Sequence, residues 1–439
     1  ESLMQAPMTR DWLHRLSRCT TSGDMSSLDI PRLAHLLRHC MRAQPVHTDL
    51  YRRASKVIGN RLPEVDLNAA STIARAFAPV VIPEQTMAFM KRLARHSAVL
   101  IERAPSDARL GDLARLSGAF ARAKVHAGPL FCAVARAADP RVRSASPSDL
   151  VQLCWGLATS GYAHRPECAA LLRHAATVTA EVRFVVALSP TQLVTLASAY
   201  AHADPDPRVR VHGAISQCIL EARDGSCHLG SATKGPGCKV LKMLRPGQLS
   251  ALLFALAMPG GPVPPAMIRA VSDELAFRRA QSFNRAQLRQ LHLATEVLRI
   301  ENPNIKNFHL PPELHDAARR AVEEGGANQI PSALALRACA ILSDMGEESA
   351  CEFHVPGTPF FVDVGLPRRV IALELDGYHS HVRSRTTSAC KDRVLRRMGW
   401  RVDRIAAKPL ARDVGRAGDA ALRDVLQQVL HRHPEPAGT

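Results

Sequence analysis

The stretch SPSDLVQLCWGLATSGY, residues 146–162, decides the fold. A Ser-Pro start followed by apolar residues at three- and four-residue intervals, with small residues between them, describes a capped helix with one buried face. The phrase recurs as IPRLAHLLRHCMRA (30–43), LNAASTIARAFAPV (67–80), LGDLARLSGAFARAKV (110–125), SPTQLVTLASAYAHAD (189–204), RPGQLSALLFALAMPG (245–260) and NRAQLRQLHLATEVLRI (284–300). Superposition places Leu33, Ala70, Leu113, Leu150, Leu193, Leu249 and Leu288 in register, at intervals of 37, 43, 37, 43, 56 and 39 residues. A period of about forty residues accommodates two helices and two turns. The second helix of each unit is visible in EQTMAFMKRLARHSAVLIERA (84–104), RPECAALLRHAATVTAEV (165–182), DPRVRVHGAISQCILEA (206–222) and PPAMIRAVSDELAFRRA (264–280).

A hairpin that cannot bury its own apolar face must stack on its neighbours. The expected fold is therefore mainly α, with an α-solenoid of helical-hairpin repeats over residues 28–345 behind an N-terminal extension, 1–27. Small residues at Ala119, Gly156, Ala199 and Ala255 occupy one register position, where paired helices approach closely. The long interval contains DGSCHLGSATKGPGCK, read as a loop insertion over 224–243. The pattern weakens at Pro303–Asn307 and through HLPPELHDAARRAVEEGG, and IPSALALRACAILSDMG then supplies one more apolar helix ending at Gly346.

Composition narrows the partner. The 57 Lys and Arg residues outnumber 40 Asp and Glu, a formal charge of +17, so a polyanion is the economical ligand. No run of about 18 apolar residues is present, and no membrane partner is expected. Aromatic residues make up only 4% of the chain, which argues against a recognition sheet that stacks bases and for recognition through Arg, Lys, His and polar groups. The eleven cysteines are odd in number and never form CxxC, so neither a disulfide framework nor a metal site is expected, and a reducing interior compartment fits. Cys227, His228 and Cys238 sit in the Gly/Ser-rich insertion and read as loop residues rather than metal ligands. The opening TRDWLHRLSRCTTS is Arg- and Ser-rich, but Glu1, Asp11 and Asp24 interrupt the pattern of an organelle presequence.

After Gly346 the period changes from helical to alternating. GTPFFVDVGLP and RRVIALELDGYHS read as two strands, TSACKDRVLRRMGW as a short helix with Val394, Leu395 and Met398 on one side, and RVDRIAA as a third strand. This β-β-α-β order implies a small mixed sheet with a helix across it, over residues 346–439 with a C-terminal helix and tail. Within it, FVDVGLPRRVIALELDGYHSH and KDRVLRRMGWRVDRIAA resemble the RAP domain, through Asp363, Glu374, Asp376, Gly377 and the Gly399-Trp400 pair. The resemblance covers about fifty residues. One departure is that Tyr378 replaces the usual Pro, with His379 and His381 flanking the expected histidine. Phrases such as DLVQLCWGLATSGY are similar to octatricopeptide or heptatricopeptide repeats, which characteristically precede RAP domains.

The resemblance implies a small restriction-endonuclease-like α/β fold and work on organellar RNA. The expected function is a mitochondrial matrix protein that binds rRNA, as a component or assembly factor of the mitochondrial ribosome, alongside other ribonucleoprotein subunits and without a cofactor. An mRNA processing or stability factor is an alternative. A basic edge is proposed: His379, His381, Arg383 and Arg385 in a loop after the Glu-x-Asp strand, and Lys391, Arg393, Arg396 and Arg397 on the helix. From Phe360 to Asp413, 12 basic residues face 6 acidic ones. The sharper alternative is a metal-dependent nuclease, in which Asp363, Glu374 and Asp376 converge on a cation and His379 assists as acid or base. Asp376 stands where a nuclease of this pattern carries Lys, so the expected cationic partner is absent from the motif. Binding without chemistry is the stronger reading, with Asp363 capping backbone amides and Glu374 paired with a neighbouring Arg.

Overall fold

In the computed structural model the described residues are 25–40, 48–79, 84–203, 205–221, 239–260, 263–302, 308–326, 330–376, 381–406 and 416–433. They form a mainly helical protein with one small C-terminal mixed sheet. The extension up to Asp24, together with Cys227, His228 and Cys238, lies outside the described residues.

Two compact units divide the chain, Glu1–Val211 and His212–Thr439. The first holds α1 (Ile30–Cys40), α2 (Thr48–Asn60), α3 (Leu67–Phe77), α4 (Glu84–Arg103), α5 (Leu110–Arg122), α6 (Gly128–Ala138), α7 (Pro147–Thr159), α8 (Pro166–Thr179), the short α9 (Val182–Val186) and α10 (Pro190–Ala201). Helices α1, α3, α5, α7 and α10 pack one on the next, and α2, α4, α6 and α8 do the same, so successive hairpins stack first helix on first and second on second. The starts are set chemically. Asp66 accepts the amide of Ala69 (2.7 Å), Ser146 that of Asp149 (3.1 Å), and Ser189 and Gln192 form a reciprocal capping box. The register residues Leu33, Ala70, Leu113, Leu150 and Leu193 are buried, as are Ala119, Gly156 and Ala199. At Gly156 a β-carbon would stand 2.6 Å from the Ser117 carbonyl carbon and 2.7 Å from the Gly118 nitrogen, so α5 and α7 touch backbone to backbone there.

Helix α11 (Pro205–Glu221) spans the division. The second unit continues with α12 (Lys239–Met243), α13 (Pro246–Ala257), α14 (Pro265–Ala276), α15 (Arg285–Glu301), α16 (Pro312–Gly326) and α17 (Ala333–Asp344). Here α13 packs on α15, and α16 pairs with α15. The weakened pattern after Asn302 therefore hides a regular helix, because its Glu, Arg and His residues dilute the stripe formed by Leu314, Ala318 and Ala321.

The sheet has four strands rather than three: β1 (Ala350–His354), β2 (Phe361–Leu366), β3 (Ile371–Asp376) and β4 (Arg401–Ala406), in that spatial order. Strand β1 escapes the sequence pattern because ACEFH is short, exposed at both ends, and interrupted at Glu352, whose φ is +47°. The first two pairings are antiparallel, and β3 runs parallel to β4 through the crossover helix α18 (His381–Arg397). One face of the sheet, with Val364, Leu366, Ile371, Leu373 and Ile405, forms a core with Leu334, Ala338 and Leu342 of α17 and with Leu422, Leu426 and Val429 of α19 (Arg416–Arg432). Helix α18 packs against β4. Among the described residues no helix is long and apolar enough to cross a membrane.

Candidate nucleic-acid interface

Strand alternation puts Glu374 on the same side of β3 as Ala372, opposite the apolar core. In the parallel pairing Glu374 stands beside Arg404 of β4. Asp363 on β2 reaches the same strand, its Oδ2 accepting the backbone amide of Leu375 at 2.6 Å. That role is the backbone-capping one expected of this aspartate.

The cation expected to be missing is supplied from elsewhere. Lys391 of α18 forms an ion pair with Glu374, with both side chains largely buried. The sequence carries a signal for this placement. Lys391 precedes Val394 and Leu395 by three and four residues, so it lies on the apolar stripe that faces the sheet rather than on the solvated side. Burial pushes the Glu374 carboxyl above the usual carboxylate range; the charges of Lys391 and Arg404 pull it back, and Asp363 adds to the rise. Glu352, missed in the sequence, belongs to the same cluster: burial raises its carboxyl, Asp363 raises it further and Lys391 lowers it. Arg404 is itself anchored by Asp392 through two hydrogen bonds of 2.7 and 3.0 Å. The arrangement is a charged row across the sheet in which Lys391 meets Glu374 and Arg404 meets Asp392, while Asp363 is held by a strand amide.

The proposed basic edge divides. Helix α18 begins at His381, so His381, Arg383 and Arg385 belong to its first turns instead of a loop. The reading of a loop there fails because HVRSRTTSAC lacks an apolar stripe of its own, and its helicity comes from continuity with the packed second half. His379 lies outside the described residues, and only the backbone of Asp376 is described. Lys391 is committed to Glu374. Arg393 is not on an open face either: its Nε pairs with Glu301 of α15 at 2.5 Å, and its terminal nitrogens reach the carbonyls of Met258 and Pro259 at 3.2 and 3.4 Å. Beneath it Gly260 has φ +71°, and a β-carbon there would fall 2.6 Å from the guanidinium carbon. Arg393 thus fastens α18 to the ends of α13 and α15. Arg396 and Arg397 alone remain exposed among the four cations predicted on this helix.

Chemically, the cluster presents engaged carboxylates. Glu374 is salt-bridged and Asp363 holds a strand amide, and among the described residues no three His, Cys, Asp or Glu side chains form a metal-holding group. No family model and no curated protein matches the chain.

Proposed function

We propose that this protein binds RNA in mitochondria, holding rRNA as a component or assembly factor of the mitochondrial ribosome, and that it does so without cleaving it. The observation that carries the reading is the serial stacking of two-helix hairpins in a chain of net charge +17. Such an array is an α-solenoid in the proposed reading, and it offers a long surface to an extended polyanion. The C-terminal module is read as a RAP domain, on Asp363, Glu374, Gly399 and Trp400 and on its β-β-β-α-β order. The engagement of Glu374 by Lys391 and of Asp363 by a strand amide supports a binding role, since a hydrolytic site needs carboxylate oxygens open to a cation. The mitochondrial and ribosomal assignments rest on the family resemblance.

Purified protein is expected to bind RNA with an affinity that falls steeply as salt rises, and to leave that RNA intact in Mg²⁺ or Mn²⁺. Cleavage abolished by Asp363→Ala or Glu374→Ala would instead establish the nuclease reading. Salt-independent binding would point to a protein scaffold.

A further inference from the structure

The solvent side of the first helices in the first unit has an unusual composition. Positions at two before and two, five and nine after the register residue share one helix face. In α3, α5, α7 and α10 they are Asn68, Thr72, Arg75 and Pro79; Gly111, Arg115, Gly118 and Arg122; Ser148, Gln152, Trp155 and Thr159; Thr191, Thr195, Ser198 and His202. Gly118 is buried and the rest are exposed or half-exposed. None is acidic, although the chain carries 40 Asp and Glu residues. Three are Arg, and most others carry a hydroxyl or amide.

Within this face lies one aromatic ring. Trp155 is half-exposed, and the Arg122 guanidinium of the neighbouring hairpin sits over it, 5.5 Å from the ring centroid. No carboxylate among the described residues pairs with Arg122, which is exposed. The backbone contact at Gly156 draws α5 and α7 together, so that Arg122 and Trp155 meet although they belong to different repeats. Arg115, held by buried Asp112 at 2.6 Å, lies two turns before Arg122 on the same helix face.

We propose that Trp155 and Arg122 form a stacking platform for one unpaired base of a single-stranded RNA running across the first helices of this unit. The ring supplies a π-face that accepts any base, while Arg122 supplies a cation for the adjoining phosphate. The sixteen positions themselves carry three cations and no acid, although the Asp149 carboxylate lies beside Gly111, and this balance fits a polyanion better than a basic peptide. This inference rests on the RNA-binding reading above and adds a location and a strand type to it.

The test uses the full chain with a fluorescein-labelled single-stranded oligouridine and the same strand in a duplex. Trp155→Ala is expected to weaken single-strand binding about tenfold with an unchanged salt slope, and to leave duplex binding as in the wild type. Arg122→Ala is expected to reduce the salt slope by about one phosphate. Trp155→Phe keeps a ring, so it is expected to retain most of the affinity. Wild-type single-strand affinity in Trp155→Ala, or a Trp155→Phe variant as weak as Trp155→Ala, would overturn the platform while leaving RNA binding in place. A wild-type protein that binds neither RNA would overturn both.

Discussion

At the scale of single residues, the second half of α18 is held by charges that a surface reading assigns to solvent. Lys391 neutralises Glu374, a carboxyl already pushed upward by burial. A carboxyl whose folded value lies above its unfolded one holds its proton more tightly when folded. Its contribution to stability is present at low pH and is lost as pH rises through the folded value. Removing the counter-ion should widen that window. Lys391→Met is therefore expected to cost about 3 kcal/mol at pH 7, by leaving a buried unpaired charge, and clearly less near pH 4, where Glu374 is protonated. Denaturant melts at the two pH values check this, and Glu374→Gln added to Lys391→Met should restore most of the loss. Arg393 acts similarly, but its fork spans a carboxylate and two helix-end carbonyls. Arg393→Lys should not rescue Arg393→Ala, because a single ammonium cannot reproduce that geometry; faster amide exchange at Met258, at Gly260 and in α18 is the readout.

At the scale of elements, the repeat is legible because burial imposes a strict rule on it. One helix face must be apolar, its start must be capped, and its closest approach must be small, so Leu150, Ser146 and Gly156 each stand where the sequence indicates. Helix α16 and strand β1 are less legible, since polar residues dilute the first and a left-handed Glu352 breaks the alternation of the second. The acid row is half legible. Asp363 and Glu374 fall within a recognisable motif, whereas Lys391, Arg404 and Glu352 join them only through the crossover and the added strand. The close approach of α5 and α7 also yields a prediction. Gly156→Ala should favour the isolated helix by about 1 kcal/mol, yet its methyl would collide with the backbone of Ser117 and Gly118. Overpacking wins, and a net loss of about 2 kcal/mol is expected in a thermal or urea melt.

At the scale of the whole molecule, basic charge and serial helical stacking point the same way. The excess of 17 positive charges favours an anionic partner, and in the proposed reading that partner is RNA. If RNA is the ligand, the low aromatic content leaves shape and phosphate contacts as the main means of recognition, with the proposed Trp155 platform as a local exception, and so fits structured rRNA better than a base-by-base code. Crosslinking the protein to RNA in its native compartment and sequencing what is recovered tests this most directly. A few abundant rRNA segments are expected; recovery of no RNA above background would overturn the proposed RNA binding.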